Sequence, residues 1–446
     1  MKSLIVMINE DEVLKEAADN DIRYIRLQFV DILGRLKDVE IPVEQLSRAL
    51  REEIMFDGSS VEGFVTVEES DMRLAPDPDT LTILPWKEES VARMICDVKR
   101  ADGSFFEGCP RSILKKTLAE AEEKGFSYNV GPEPEFFLFR NNDKGQATTL
   151  TSNEDGYCDE IIDKEEKVLR GIAENLKKLD FEIEALHQEN APGQYEIVFK
   201  YADALTTADK VITFKTVVRA IAHQHKLHAT FMPKPFADHA GSCMHIHQSL
   251  FKDGQNVFYA EDDEEHLSET ARHFIGGQLA YAREFSAITN PIVNSYKRLG
   301  SGFEAPLYVA WSMQNRTSLI RVPAAHSKVG TRVELRSPDA TCNPYLALAV
   351  ILKAGLKGIE EKINPPVPLN GNNYELESNR VKSLDETDKL PRDLGEALHL
   401  MNKSSFMRDT VGSHVHGQFI DQKTTEWDSY CSEIHPWEIN TFLSEY

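Results

Sequence analysis

The sequence predicts an α+β protein in which a small N-terminal domain precedes a larger C-terminal one. The chain has 446 residues, enough for two or three domains and a large core. Short strands and helices alternate over residues 1–102, and longer elements alternate beyond them. Gly108 and Pro110 mark a turn-rich segment between the two patterns. We therefore expect one domain over residues 1–104 and a second over 105–446.

The N-terminal domain is predicted to combine strands with short helices. Apolar residues alternate at strand spacing in three segments, and Pro42 ends the second of them. Gly34 supplies the turn between the first two strands. The predicted elements are a helix over 10–19, strands over 22–30 and 36–41, a helical segment over 43–50 and a strand over 91–98.

The larger domain is delimited by helix start and stop signals. Ser112 is predicted to cap a helix that Gly125 ends, and Asn343-Pro344 to begin a helix that runs to about Lys362. The other predicted elements are helices over 163–179, 208–226 and 267–287, and strands over 131–139, 181–186, 195–199 and 242–250. Residues 363–375 are predicted to form a loop, and most of the remaining chain to be helical.

Composition restricts the class of protein. The formal net charge of −23 argues against nucleic acid or an anionic membrane as the main partner. No apolar run reaches the roughly 18 residues of a membrane-spanning helix, and Leu4–Met7 is too short for the apolar part of a secretory signal. The six scattered cysteines form no Cys-x-x-Cys pair, so we expect neither a structural zinc site nor a disulfide framework. A reducing, cytoplasmic location is therefore expected.

The first candidate site element is Gly131–Phe139, which reads Gly-Pro-Glu-Pro-Glu-Phe-Phe-Leu-Phe. At strand spacing, Glu133 and Glu135 lie on one face. Apolar side chains follow on both faces, so the strand is predicted to be buried. Two like charges about 4 Å apart repel by roughly 4 kcal/mol at an effective dielectric constant of about 20. The pair indicates either bound cations or a strand end that emerges into solvent.

A second pair of carboxylates flanks a predicted turn. Pro192-Gly193 lies between two apolar strands, with Glu189 before it and Glu196 after it. A hairpin at this point brings the two carboxylates together. The alternative is a solvated hairpin tip.

Imidazole and hydroxyl groups share one face of the strand over 242–250. His245, His247 and Ser249 alternate there with apolar or amide side chains. One histidine among carboxylates is acceptable to Mn²⁺. A single histidine is more often structural, but two on one face, behind Gly241, favour a functional site.

Arginines supply the opposite charge in the second half of the chain. Arg332, Glu334 and Arg336 share one strand face, a pattern that is also typical of a surface ion-pair ladder. Further arginines in apolar or neutral surroundings are Arg298, Arg316 and Arg321. The arginine guanidinium group binds carboxylate or phosphate through two parallel hydrogen bonds. Together the acidic and basic groups suit a metal–nucleotide and an acidic small molecule.

The common nucleotide-binding motifs are missing from the sequence. It contains no phosphate loop of the Gly-x-x-x-x-Gly-Lys-Ser/Thr type and no protein-kinase motif set. Gly300-Ser301-Gly302 resembles the start of a dinucleotide fingerprint, but no predicted strand leads into it. An ATP site is therefore expected to be built by metals and arginines.

Taken in order, these segments resemble glutamine synthetase of the bacterial type I family, in its shorter subtype without adenylylation. The likeness covers essentially the whole chain. The segments that carry it are Met55–Phe64, Glu68–Met72, Gly131–Glu135, Ala191–Gln194, Ala229–Pro235, Asn294–Arg298, Glu304–Pro306, Gln314–Arg316 and Asn343–Leu346.

The resemblance implies a fold, an assembly and a reaction. The fold is a β-grasp-like N-terminal domain followed by a catalytic domain with a curved antiparallel sheet flanked by helices. The assembly is a dodecamer of two hexameric rings, with active sites between neighbouring subunits. The reaction is the ATP-dependent ligation of ammonia to the γ-carboxylate of L-glutamate through γ-glutamyl phosphate, with two or three Mg²⁺ or Mn²⁺ ions in each site.

The resemblance also implies residue roles. The ligands of one divalent metal would be Glu135, Glu189 and Glu196, and those of the second Glu133, His245 and Glu334. The ATP-binding residues would be Glu184, His247, Ser249, Arg316 and Arg321. The glutamate-binding residues would be Gly241, Arg298, Glu304, Arg316 and Arg336. The catalytic residues would be Asp57, Glu304 and Arg316: Asp57 as the base that deprotonates ammonium, Glu304 on a flap that excludes water, and Arg316 beside the transferred phosphoryl group.

Several positions depart from the family pattern. Where the family usually has Asn-Gly-Ser-Gly-Met-His, this chain has Ala240 and Cys243 in place of the asparagine and the second glycine. Asn190 and Tyr195 are also unusual. Asp388 stands where adenylylated relatives carry a tyrosine, and Thr66 where feedback-inhibited relatives carry an arginine, so we expect neither form of regulation.

These departures leave two alternatives to ammonia ligation. One is a γ-glutamyl-polyamine or alkylamine ligase of the same family, which the changes at Ala240 and Cys243 motivate. The other is a non-catalytic family member that acts in nitrogen sensing. Retention of Asp57 and Glu304 favours ammonia as the acceptor.

Overall fold

The computed structural model describes residues 10–87, 90–151, 156–160, 164–299, 304–325, 327–369 and 389–446. The N-terminal part contains two α-helices, α1 and α2, and six strands, β1 to β6, within those limits. The helices are Glu10–Asp19 and Leu46–Leu50. The strands are Tyr24–Val30, Leu36–Pro42, Met55–Asp57, Asp71–Pro76, Thr82–Ile83 and Val91–Arg100.

The six N-terminal strands form one mixed sheet in the order β2-β1-β6-β4-β3, with β5 also paired to β6. β1 and β6 run parallel, and the other pairs are antiparallel. The predicted strands at β1, β2 and β6 are confirmed. β3, β4 and β5 were not predicted, since strands of two to six residues carry little periodicity.

The C-terminal part contains longer elements, labelled α3 to α11 and β7 to β16 in chain order. Its helices are Pro110–Glu123, Lys164–Lys177, Ala204–Gln224, Glu269–Thr289, Ser295–Arg298, Pro344–Glu361, Leu394–Lys403, Ser405–Ser432 and Pro436–Phe442. Its strands are Ser127–Arg140, Ile183–Gln188, Gln194–Phe199, Ala202–Asp203, Leu227–Thr230, Met244–Lys252, Gln255–Asn256, Trp311–Met313, Ile320–Val322 and Val333–Leu335.

The long strand β7 is the centre of the C-terminal sheet, whose order is β14-β15-β16-β12-β7-β9-β8. The first half of β7 pairs with β12 and β10, and its second half with β9 and β11. All of these pairs are antiparallel. The sheet nevertheless becomes mixed at its edge, where β14 and β15 run parallel. The expected α+β class is confirmed.

The N-terminus of α3 differs from the sequence prediction. Cys109 occupies the N-cap position and Pro110 begins the helix, whereas Ser112 lies buried inside its first turn. The prediction of Ser112 as the cap was wrong because proline, with its fixed φ and missing N–H, is favoured at the first helical position.

Close helix packing beneath the sheet depends on small residues. α6 and α8 approach so closely that a Cβ on Gly277 would lie 2.2 Å from the Ala354 carbonyl oxygen. A Cβ on Gly358 would lie 2.1 Å from the His273 carbonyl oxygen. Thirteen of the 18 residues of α8 are buried, so this helix contributes much of the core.

A buried arginine connects the two parts of the chain. Arg111, at the start of α3, donates to both carboxylate oxygens of Asp209 on α5 at 3.1 and 3.0 Å. It also pairs with Asp77 and Asp97 of the N-terminal sheet. Tyr345 donates its hydroxyl hydrogen to Asp209 at 2.6 Å. The charges of this junction are thus balanced by several partners, as buried ions require.

Three sequence predictions fall wholly or partly outside the described residues or stay untested. Asp388 and residues 370–375 of the predicted loop lie outside the part of the chain that the structure describes. The division at residues 104 and 105 stays a prediction. Within the described residues, no helix is long and apolar enough to cross a membrane.

Asn343 provides a test of the junction. As predicted, it caps α8: its side-chain oxygen accepts from the Tyr345 and Leu346 amides. Its side-chain nitrogen donates to the carbonyls of Asp31 and Ile32 in the N-terminal part. We expect Asn343→Ala to lower the free energy of unfolding by about 2–3 kcal/mol, since both functions are lost. Urea unfolding followed by circular dichroism measures this loss.

Asp393→Ala is the matched control, because Asp393 caps α9 through the Glu396 amide. It should cost about 1 kcal/mol, the value of a cap alone. Asn343→Ser keeps a capping acceptor and lacks the amide that reaches the two carbonyls, so it should fall between the two alanine variants. Equal losses for the two alanine variants would contradict the role of Asn343 in joining the domains.

Candidate active site

The pairing of β7 with β12 sets the geometry of the candidate site. Its antiparallel register places His245 opposite Glu133, and the Glu135 amide donates to the Cys243 carbonyl at 3.1 Å. An imidazole nitrogen of His245 lies 3.3 Å from a Glu133 oxygen, and one of His247 lies 2.8 Å from the other oxygen. Glu133 and Glu135 therefore share a face, as predicted, and histidines cover one of them.

The hairpin of β8 and β9 brings the second acidic pair to the same place. Gly193 has φ of +69° in the turn, a conformation that glycine adopts readily. Register pairs Glu196 with Glu135 across β9 and β7. The two nitrogens of the His187 ring lie 3.3 Å from Glu189 and 3.4 Å from Glu196. The hairpin is thus no solvated tip, since Glu189 and Glu196 are buried.

A cavity of about 420 Å³ opens on these groups, and we call it the carboxylate cavity. The residues that line it are Glu133, Glu135, Tyr157, His187, Glu189, Asn190, Gln194, Glu196, Val198, Ala240, Gly241, Cys243, His245, Arg298, Glu304, Ala305, Arg316 and Arg336. Five carboxylates face three arginines across it. Such a cavity suits a zwitterionic or acidic ligand together with cations.

The carboxylates on β7 and the hairpin hold protons more tightly than usual. Burial, together with the charge of Glu189, raises the pKa of Glu135 to about 8. Burial and the neighbouring charges of Glu133 and Glu135 raise the pKa of Glu196 to about 10. Burial also raises the pKa of Glu189. These three groups repel one another, and a cation bound between them would relieve that repulsion.

A second donor set consists of Glu133, His245 and Glu334, whose ligand atoms lie within 4.8 Å of one another. Burial alone would raise the pKa of both carboxyls, but hydrogen bonds and charge from the neighbouring histidines and Arg336 outweigh it. His247 and His245 hold the pKa of Glu133 well below its usual range. Arg336 and the two histidines lower the pKa of Glu334 to about 2. This set is therefore ionised and ready for a cation.

The residues present fit divalent cations. Oε1 of Glu196 is buried and has no hydrogen-bond partner among the described residues. Its lone pairs are therefore available to a cation. Carboxylates with a single imidazole are ligands for Mg²⁺ or Mn²⁺. The ligand atoms of His187, Glu189 and Glu196 also converge, and Glu135 lies opposite Glu196 across β7 and β9. Glu133 and Glu135 are neighbouring positions on one strand face.

An adjacent cavity of about 220 Å³ lies on the other side of Glu133. Its lining includes the predicted nucleotide residues Glu184, His247 and Ser249. Apolar walls come from Val198 and Phe199. Val198 and Glu133 line both cavities. A ligand that spans from one cavity to the other must therefore pass Glu133.

The predicted glutamate-binding groups all line the carboxylate cavity. Arg336 is buried and donates to Glu334, and its Nε atom has no hydrogen-bond partner. Arg298 donates to the backbone carbonyl of Ser337. Arg316 and Glu304 are exposed at the cavity mouth, and Glu304 has φ of +63°, which is uncommon for a residue with a side chain.

Three predicted residues line neither cavity: Asp57, Arg321 and Glu334. Glu334 is fully buried, and Arg321 pairs with it at 2.7 Å. Asp57 is exposed on β3, where Ser59 and Ser60 donate to its carboxylate. No residue of the N-terminal sheet lines the carboxylate cavity. Within one chain, the predicted base is thus separate from the other predicted groups.

Several lining residues were not predicted from the sequence. Gln194 donates to Glu135 at 2.7 Å, and Arg332 donates from Nε to His247 Nδ1 at 3.2 Å. His187 contacts both hairpin carboxylates, and Tyr157 lines the same cavity. His187 lies two residues before Glu189 on one strand face, a spacing that could have indicated it.

Comparison with known proteins is consistent with this geometry. The family model of the glutamine synthetase catalytic domain matches residues 107–442, and that of the glutamine synthetase beta-grasp domain matches residues 21–101. The chain belongs to the glutamine synthetase family. The predicted family and the β-grasp N-terminal domain are thereby confirmed.

Curated glutamine synthetases resemble the chain over nearly its whole length. That of Clostridium saccharobutylicum is 49% identical over 440 residues, covering 98% of this chain and 99% of the relative. That of Methanosarcina mazei is 49% identical over 438 residues, covering 98% of each. Each alignment thus spans nearly the whole of both chains.

Solved structures resemble the chain as well. A GmaS–ADP complex has a TM-score of 0.89 and 32% identity, covering 97% of this chain and 99% of that one. A Plasmodium falciparum glutamine synthetase, solved by cryo-electron microscopy, has 24% identity and shares the fold.

Metal binding to this glutamine synthetase family member should release protons. Metal ligation needs ionised carboxylates, whereas the pKa values of Glu135 and Glu196, about 8 and about 10, keep these groups protonated near neutral pH. Apparent Mn²⁺ affinity should therefore rise from about pH 6 to about pH 8. Calorimetric enthalpies measured in buffers of different ionisation enthalpy report the number of protons released.

Glu196→Gln removes one protonated ligand and should release fewer protons. Glu184→Gln, which alters a carboxylate of the adjacent cavity, is the control and should release the wild-type number. Binding enthalpies that do not depend on the buffer in the wild type would contradict the protonated state.

Proposed function

We propose that the protein ligates ammonia to the γ-carboxylate of L-glutamate, with ATP converted to ADP and phosphate. The observation that carries the proposal is the carboxylate cavity, where five carboxylates and His245 face three arginines beside a second cavity. The glutamine synthetases at 49% identity support it. The structural neighbour in complex with ADP supports a nucleotide in the adjacent cavity.

The two donor sets are proposed to hold divalent cations. Glu135, Glu189 and Glu196 would hold one, and the set of Glu133, His245 and Glu334 the second. When bound, such cations neutralise the charge of a transferred phosphoryl group. Glu133 lies between the cavities, which suits a γ-phosphate that passes from ATP to glutamate. Two or three Mg²⁺ or Mn²⁺ ions are proposed for each site.

Arginines are proposed to hold glutamate for this transfer. Arg298 and Arg336 bind its carboxylates, with the Gly241 backbone beside them, and the unpartnered Nε of Arg336 supports that role. Arg316, at the cavity mouth, steadies the transferred phosphoryl group. Glu184, His247, Ser249 and Arg321 are proposed as nucleotide contacts, although Arg321 would act through its pairing with Glu334.

The reaction proceeds in two proposed steps. The glutamate γ-carboxylate oxygen takes the terminal phosphoryl group of ATP, giving γ-glutamyl phosphate and ADP. Ammonium loses a proton to Asp57, and the nitrogen attacks the acyl carbon while the bond to phosphate breaks. The departing phosphate takes the second proton that the nitrogen loses to become the amide. Hydrogen bonds from Ser59 and Ser60 lower the pKa of Asp57, so it is anionic and attracts ammonium. Glu304 closes the cavity mouth and excludes water.

Asp57 requires an assembly, for which we propose the dodecamer of two rings. In this arrangement Asp57 of one subunit completes the cavity of its neighbour. A cluster of exposed apolar side chains at the C-terminus supports burial against another copy. These are Ile434, Trp437, Ile439, Phe442 and Leu443. We place the assembly in the cytoplasm, which the six free cysteines support.

The acceptor can be identified with a panel of amines. With ATP, glutamate and Mg²⁺, phosphate release should depend on ammonium and should be fastest with it. Methylamine, longer alkylamines and polyamines form the comparison set, and mass spectrometry identifies the amide. A polyamine or alkylamine that outcompetes ammonium would establish the other ligase. No turnover with any amine would favour the nitrogen-sensing alternative.

A mixing experiment tests whether Asp57 acts in a neighbouring subunit. Asp57→Asn and Glu135→Gln should each be inactive, because each removes one part of every site. Co-expression of the two, with different tags for purification, should restore about a quarter of wild-type activity, since random assembly leaves that fraction of sites intact. Co-expressed Glu135→Gln and Glu189→Gln form the control and should stay inactive. No recovery in the first mixture would place Asp57 within its own subunit's site or outside catalysis.

A further inference from the structure

A thiol lies among the metal-ligand candidates of the carboxylate cavity. Cys243 is 3% exposed and lines the cavity. Its Sγ atom donates to Glu135 Oε1 at 3.0 Å, and its amide donates to Oε2 at 3.0 Å. The sequence pattern discussed above has glycine at this position. Cys243 is therefore a feature of this chain that the proposed ligase reaction does not use.

The sheet brings Cys243 and His245 to the same side. They are two positions apart along the strand, so their side chains lie on one face. Glu135 lies across from Cys243 on β7. Ligand atoms of Glu135, Cys243 and His245 all lie within 4.8 Å of one another. Three different donor types thus converge on one point.

This combination of donors differs from that of the two carboxylate sets. Zn²⁺ takes thiolate sulfur, imidazole nitrogen and carboxylate oxygen at about 2.0–2.3 Å, whereas Mg²⁺ prefers oxygen. Thiolate selects zinc over the hard cations. Glu196 is a further indication of a cation near Glu135, with which it pairs across the strands. Glu196 is 7% exposed, and its buried Oε1 has no hydrogen-bond partner.

We propose that Glu135, Cys243 and His245 form a site for zinc or a similar borderline-soft divalent cation, and that a cation bound there excludes the hard metals. Binding breaks the Sγ–H bond, releases its proton to the buffer and forms a sulfur–metal bond without a change in oxidation state.

Exclusion follows from shared ligands. His245 also belongs to the set with Glu133 and Glu334, and Glu135 belongs to the proposed set with the hairpin carboxylates. A soft cation therefore takes one ligand from each hard-metal set. Its inhibition of catalysis rests on the proposed function, whereas its binding does not.

Cobalt spectroscopy of the full-length, metal-free protein tests the site. Co²⁺ replaces zinc, and a cobalt–thiolate bond gives a charge-transfer band in the near ultraviolet. The wild type should show this band, and Zn²⁺ should remove it by displacement. Cys243→Ser should lose the band and bind Zn²⁺ at least about tenfold more weakly, as loss of a ligand requires. Serine keeps a hydrogen-bond donor towards Glu135, and Cys243→Ala serves as a second variant.

Cys431→Ser is the control, because Cys431 is an exposed thiol on α10, which does not line the cavity. It should keep the band and the zinc affinity. Circular dichroism verifies that each variant is folded. No charge-transfer band in the wild type, or an unchanged band in both Cys243 variants, would overturn the proposal.

Turnover measurements separate this proposal from the proposed function. With ammonium, glutamate and excess Mg²⁺, Zn²⁺ should inhibit the wild type at concentrations at least about tenfold lower than those for Cys243→Ser, each relative to its own rate without zinc. A protein with the cobalt band but no ligase activity would refute the proposed function alone. An active ligase without the band would refute the zinc site alone.

Discussion

The register between β7 and β12 is the constraint on which the candidate site depends. Side chains alternate along each strand, so one register places two carboxylates on β7 opposite a thiol and imidazoles on β12. A shift by one residue would turn every one of these groups to the other face of the sheet. The apolar side chains that follow Glu135 on β7 are fully buried and oppose such a shift. The packing of the core therefore also positions the charged groups.

The sheet separates charge within a small space. On one side of Glu135, the hairpin carboxylates are buried near one another and hold protons. On the other side, Glu133 and Glu334 are surrounded by histidines and arginines, which favour the ionised form. The two proposed ligand sets therefore differ in protonation as well as in composition. The second set is prepared for a cation before it arrives, whereas the first must lose protons as the cation binds.

Sequence predicted the parts of this site that depend on local periodicity. The shared face of Glu133 and Glu135 follows from strand alternation, and the meeting of Glu189 with Glu196 follows from a Pro-Gly turn. The short strands β14 and β15 carry three residues each, too few for a periodic signal. The pairing of β16 with β12 places Glu334 opposite His247, a long-range register that local patterns do not encode.

Arg332 illustrates the second reason for incomplete prediction. Its alternation with Glu334 indicated that both lie on one strand face. The pattern could not distinguish a row of surface ion pairs from a binding site. The structure resolves this because Arg332 donates to His247, while His247 contacts Glu133 at the boundary of the two cavities.

A neutral His247 that accepts from Arg332 at Nδ1 must carry its proton on Nε2, the atom facing Glu133. An arginine in the adjacent cavity thereby fixes which hydrogen bond Glu133 receives. A ligand phosphate that drew Arg332 away would free His247 to change its proton position. This chain of contacts connects the adjacent cavity with the carboxylate cavity.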